Sequence, residues 1–112
     1  MTPEATKLLQ DILNASNKIL SRTDGKTVEQ YEADEDLCLV IERLFTIAGE
    51  AAARLYRDYP EVASQLSEVR GVISFRNFLI HVYDTVDNRK VWDIVQTELP
   101  KLQQQVTELL SE

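Results

Sequence analysis

Arg76, Asn77 and His81 are the residues of this chain best suited to chemistry. His81 is the only histidine, and an imidazole with an ordinary pKa of about 6.5 takes up and releases a proton close to neutral pH. Arg76 brings a permanent positive charge whose forked donors match phosphate oxygens. Together they describe proton transfer beside a bound anion. A lone histidine and a lone cysteine, Cys38, form no ligand pair of recognisable metal spacing. No glycine-rich phosphate loop or serine-centred nucleophile motif is present either, so no metal and no cofactor is called for.

The element that must position these groups reads as a helix. At about 100° per residue, Val69, Val72, Ile73, Ile80 and Tyr83 fall on one stripe, and Arg76 projects from its middle. A guanidinium among apolar side chains is costly unless it is paired. Ser74, Asn77, His81 and Asp84 follow i, i+3, i+7, i+10 spacing and form a polar strip, while Phe75, Phe78 and Val82 form a third, apolar strip. Such a helix packs one apolar face into its own bundle and offers the other to a second copy, with the polar seam beside a symmetric cleft. Positions five apart diverge by about 140° on a regular helix, so one subunit does not bring Arg76 and His81 together. Two motif helices facing each other across a twofold axis place all four side chains in one cleft. Structural alternatives stand beside each assignment: His81 as a hydrogen-bonding residue at a helix end, Arg76 as an ion-pair residue, and Tyr83 as a core aromatic with its hydroxyl at the surface.

The rest of the chain reads as helices from end to end. A first helix covers about residues 4 to 21, with Ala5, Leu8, Leu9, Ile12, Ser16 and Ile19 on one face. The segment from Ser21 to Lys26 is a turn. Thr27 to Gln30 fits a capping box that opens a short helix, and Asp34 caps the next. That helix runs from about 35 to 58, since Leu37, Ile41, Leu44, Phe45, Ala48, Ala52 and Leu55 recur every three or four residues. Pro60 ends it, and residues 61 to 66 look like one irregular helical turn. The motif helix occupies about 68 to 83, and residues 84 to 87 form a break. Asp87 caps a last helix from about 88 to 110, bent at Pro100, where the ring crowds the carbonyl of Gln96. Trp92 anchors the start of that helix against the core. The fold class expected is all-α: a single domain over residues 1–112, an antiparallel bundle of four main helices plus short helical turns.

Within the second long helix, Gly49 to Ala53 is a small-residue patch that permits close approach of another helix. Glu50 beside it is either a partner for Arg76 or a solvated glutamate. Cys38 sits in an apolar helical pattern and reads as a small buried residue without a reactive role.

The 112 residues suit one domain, which buries roughly two-thirds of its unfolded surface. A net charge of −7, from 12 basic and 19 acidic residues, opposes general attraction to nucleic acid, so any contact with RNA must be local. Residues 24 to 36 hold six acids against Lys26, which reads as a solvated helix start. Residues 70 to 90 hold Arg70, Arg76, Arg89 and Lys90 against Asp84 and Asp87, and this is where local contact is expected. A DNA-binding bundle is disfavoured, because the chain has no basic recognition helix. No segment approaches the length of apolar run that spans a membrane, and the start lacks an export pattern, so a cytoplasmic location is expected.

The segment from Arg70 to Asp84, followed by Val91-Trp92 and Leu99-Pro100, resembles the HepT-like branch of the HEPN superfamily. Ala48 to Ala52 and Pro60 also fit, so the likeness spans about residues 37 to 102. The branch motif is arginine, four residues, histidine, any residue and tyrosine, met by Arg76, His81 and Tyr83. One departure is Val82, where glycine is common in the branch.

The resemblance implies a homodimer that joins through the motif helix and forms a ribonuclease site at the interface. It further implies a toxin of the type VII kind, whose antitoxin is a minimal nucleotidyltransferase that adds AMP to the motif tyrosine. Carried across, Arg76 and His81 would be catalytic, Asn77 would orient the site and Tyr83 would be the modified residue. RNA carries its own nucleophile in the 2′-hydroxyl, so cleavage needs proton transfer near neutral pH and a cation facing the phosphate, and no metal. Tyr83 lies seven residues after Arg76, on nearly the same side and about 10 Å along a regular helix, so a nucleotide attached there would fill the RNA entrance. The competing reading is a non-catalytic helical adaptor that binds the nucleotidyltransferase and presents a surface to its substrate.

Overall fold

The structure, a computed structural model, describes residues 1–81 and 86–112, with the side chains of 78–81 outside the description. Seven helical segments occupy the described residues: α1 (Pro3–Thr23), α2 (Val28–Ala33), α3 (Glu35–Asp58), α4 (Pro60–Ala63), α5 (Val69–His81), α6 (Asn88–Gln96) and α7 (Glu98–Ser111). The all-α bundle expected from periodicity is the fold.

The starts of α1, α2, α3 and α6 are set by short polar side chains that satisfy free N–H groups of the first turn. Thr2 accepts from the Ala5 amide at 3.1 Å, and Asp34 accepts from that of Leu37 at 3.0 Å. At α2 the capping box is complete: Gln30 N donates to Thr27 Oγ1 at 3.2 Å and Thr27 N donates to Gln30 Oε1 at 2.9 Å. The turn between α1 and α2 passes through Gly25, whose φ of 73° is the left-handed conformation that glycine adopts without strain.

The long helices run antiparallel around one core. Glu4 of α1 lies against Arg54 near the end of α3, and Gly49 and Tyr56 of α3 meet Arg76 and Arg70 of α5 in reversed order. Near the end of α1, Asn17 accepts from Gln103 in the first half of α7 at 2.6 Å. Ile12, Ile41, Phe45, Leu55, Val91 and Leu99 are fully enclosed between these helices. Cys38 is buried, as its pattern indicates. Trp92 is half-buried at 5.5 Å from the Tyr31 ring, which ties α6 to α2.

Besides α1 running on through Thr23, into the stretch the sequence reading gives to a turn, two details differ from the sequence reading. The last helix is two, not one bent rod: α6 stops at Gln96, Thr97 takes φ −114° and ψ −72°, and α7 starts at Glu98. Pro100 has no N–H to offer Gln96, and its ring crowds that carbonyl. Restarting at Glu98 puts the proline in the first turn of α7, where an N–H has no helical partner to lose. Phe75 is the second difference. Instead of lying on a strip apart from Val72, it is buried along with Val69 and Val72 and meets Phe45 edge-on, ring centres 4.9 Å apart. The core face of α5 is therefore one broad arc that runs from Val69 through Val72 to Phe75.

Candidate functional site

The site begins with a missing side chain. A Cβ on Gly49 would stand 2.2 Å from the Arg76 Cβ and 2.6 Å from its Cγ. Only hydrogen at position 49 lets α5 approach α3 this closely. The stem of Arg76 thus occupies the space over Gly49, and its guanidinium emerges at the flank of α3. This answers why an arginine stands in the apolar stripe: its aliphatic part packs and its charged end reaches a groove.

That groove, of about 440 Å³, is lined by Glu50, Ala53, Arg54, Arg57 and Arg76. Arg76 Nη1 donates to Asn77 Oδ1 at 2.9 Å, so the amide fixes one edge of the guanidinium fork. Arg76 Nε is buried without a hydrogen-bond partner among the described residues. Glu50 is exposed at the same groove, and no ion pair joins it to Arg76 among the described residues. The groove therefore holds a half-buried, half-satisfied cation that faces open space, which is an arrangement suited to an incoming anion.

The backbone of α5 is helical through His81, so positions 76 and 81 diverge by about 140°. The His81 side chain, and all of Val82, Tyr83 and Asp84, lie outside the described residues. The structure brings Arg76, Asn77 and Glu50 together, and it leaves the histidine and the tyrosine open.

The basic residues expected around the motif divide differently in space. Arg89 pairs with Glu32 of α2 at 2.9 Å. Arg70 lies over the Tyr56 ring, 5.3 Å from its centre, and donates to its hydroxyl at 2.6 Å. The cations that accompany Arg76 come instead from α3. Arg54 approaches Glu4 at 4.0 Å. Arg57 is held by Asp58 through two hydrogen bonds, of 2.8 and 3.0 Å, which keep the Asp58 carboxyl below its ordinary range and raise the Arg57 guanidinium further. Sequence reading did not single out Arg54 and Arg57. Their signal is the i, i+3 spacing on the helix flank that also carries Glu50. Among the described residues no group of three or more histidine, cysteine, aspartate or glutamate side chains is arranged to hold a metal, and no helix is long and apolar enough to cross a membrane.

Comparison with known proteins shows the family of the chain. Residues 12–109 match the family model described as Ribonuclease HepT-like. A protein of Caldanaerobacter subterraneus subsp. tengcongensis that carries a provisional RNase name is 32% identical over 104 residues, covering 91% of this chain and 90% of its own. One of Methanocaldococcus jannaschii, also provisionally named an RNase, is 26% identical over 98 residues, covering 88% and 89%. A protein of Thermococcus cleftensis named a probable ribonuclease HepT is 29% identical over 94 residues, covering 84% of each chain. No solved structure matches the chain. The family match takes in both the glycine that seats the motif helix and the arginine above it, and the chain belongs to the HepT-like ribonuclease family.

Proposed function

We propose that this protein is a metal-independent endoribonuclease acting as a homodimer. The observation that carries the reading is Arg76, whose stem is seated on Gly49 and whose guanidinium is steadied by Asn77 beside an open groove. In this reading the guanidinium binds the non-bridging oxygens of the scissile phosphate. The RNA 2′-hydroxyl gives its proton to an imidazole, its oxygen attacks phosphorus, and the 5′-oxygen leaves with a proton from water. The products are a 2′,3′-cyclic phosphate and a 5′-hydroxyl. Positions 76 and 81 diverge by about 140° on one helix, so the guanidinium and the imidazole that act on one phosphate come from the two subunits of a dimer that joins through α5. Asn77 orients the site. Glu50 tempers the charge of Arg76 while the groove is empty.

The same reading makes the protein the toxin of a pair. A minimal nucleotidyltransferase acts as antitoxin by transferring AMP to Tyr83 in the cytoplasm, which closes the RNA entrance. RNA cleavage by the purified protein in excess chelator tests the enzyme itself. Arg76→Ala and His81→Ala should each lower the rate by roughly 10²–10⁴. Undiminished cleavage in both would leave a helical adaptor of the nucleotidyltransferase as the better account.

A further inference from the structure

Arg54 and Arg57 have no part in the chemistry above, yet both line the groove into which Arg76 projects. Three arginines face one glutamate there, in a chain whose net charge is −7. The lining itself is thus net positive, although Glu4 and Asp58 stand against Arg54 and Arg57. Arg54 and Arg57 stand i, i+3 on α3, so their Cβ atoms are neighbours on one flank, about 5–6 Å apart. Their present partners are surface carboxylates. Arg54 meets Glu4 only at 4.0 Å, with both side chains more than half exposed, and Arg57 holds its sequence neighbour Asp58 with its own side chain 69% exposed. Exposed pairs of this kind contribute little and are screened by salt, so a phosphate can replace either carboxylate at small cost.

Resting on the ribonuclease reading of this groove, we infer that Arg54 and Arg57 form a phosphate track that holds the RNA backbone beside the scissile phosphate at Arg76. The track reads backbone charge and not bases, since nothing in it offers a base edge a fixed hydrogen-bonding pair. It positions single-stranded RNA, whose backbone a groove lined by cations can follow. Neither arginine is catalytic, and each acts by holding the strand that Arg76 and His81 cleave.

The test measures binding apart from cleavage. The full chain with His81→Ala, which stops turnover, is titrated against a fluorescein-labelled single-stranded oligouridylate at several salt concentrations, with and without Arg54→Ala and Arg57→Ala. Each arginine removed should weaken binding several-fold and make the dependence of log affinity on log salt shallower by about 0.7. Arg54→Lys with Arg57→Lys should keep the slope, because charge and not fork geometry carries the contact. Wild-type affinity and slope in the double alanine variant would overturn the assignment, as would failure of the His81→Ala protein to bind the oligouridylate. Cleavage is scored separately in the His81-intact chain: its absence sinks the nuclease reading, while the binding titration still decides the track.

Discussion

Gly49 and Arg76 occupy each other's space: the hydrogen on one α-carbon is what admits the side-chain stem of the other, with 2.2 Å between the Arg76 Cβ and the place a Cβ would take on Gly49. The contact joins the packing of α3 on α5 to the placing of the charged group, so a change at position 49 moves both.

Gly49→Ala should therefore act against helix propensity. Alanine normally gains about 0.5–1 kcal/mol over glycine inside a helix. Here the overpacking penalty, about 1–3 kcal/mol, outweighs that gain, because the atom met is the Cβ of Arg76 and cannot swing aside. Gly71, also on a helix, has nothing within 4 Å of an added Cβ, and Gly71→Ala should stabilise by about 0.5–1 kcal/mol. Urea denaturation of the two variants should give shifts of opposite sign.

Asp87 fixes where the chain re-enters helix after the motif, by accepting from the amides of Arg89 at 3.1 Å and Lys90 at 3.3 Å. Asp87→Ala should cost about 1 kcal/mol, and Asp87→Ser should recover most of it. Thermal melts of the three proteins compare them directly.

Alkaline stability should depend on Tyr31. Burial, with the Cys38 thiol beside it adding to the effect, holds this phenol well above the usual tyrosine range. The unfolded chain ionises its tyrosines near pH 10. Above that pH the unfolded state has lost a proton that the folded state keeps, so stability is full below about pH 10 and falls as pH rises. Tyr31→Phe removes this dependence. Urea midpoints across the alkaline range should decline less steeply in the variant than in the wild type.

Adenylylation should fall on Tyr83. Incubation with the nucleotidyltransferase and ATP should add adenylyl mass to the wild type and none to Tyr83→Phe, with cleavage activity falling as the wild type becomes labelled. Equal labelling of both proteins would remove the tyrosine from the account.

Much of the fold is legible because its signals are local. Thr27 with Gln30, Asp34 and Asp87 announce helix starts through side chains that reach their own first turn, and each caps as expected. The break at Thr97 is hidden for a physical reason: Val91, Val95, Leu99, Leu102 and Val106 are all buried across it, so the apolar rhythm runs on while the backbone does not. Pro100 marks the disturbance, but its effect falls on Gln96, a turn upstream.

The site divides along the same line. Arg76 stands out in one sequence because its type conflicts with its stripe, and the small residues around Gly49 advertise close approach. Which residue meets Gly49 depends on how α3 and α5 cross, and that is set by the whole core. For the same reason Phe75 appears by angle to belong to a separate face, yet the deep seat over Gly49 draws it in beside Phe45. Arg54 and Arg57 look like ordinary surface arginines until α5 lies next to them.

The central claim is a cleavage site shared between chains, and mixed dimers test it most directly. Arg76→Ala and His81→Ala chains, each inactive alone, are co-expressed under different tags and the heterodimer is purified through both. One sound guanidinium and one sound imidazole then come from opposite subunits. The account predicts that this heterodimer recovers RNA cleavage in chelator, well above either mutant homodimer. A heterodimer as inactive as its parents would contradict it.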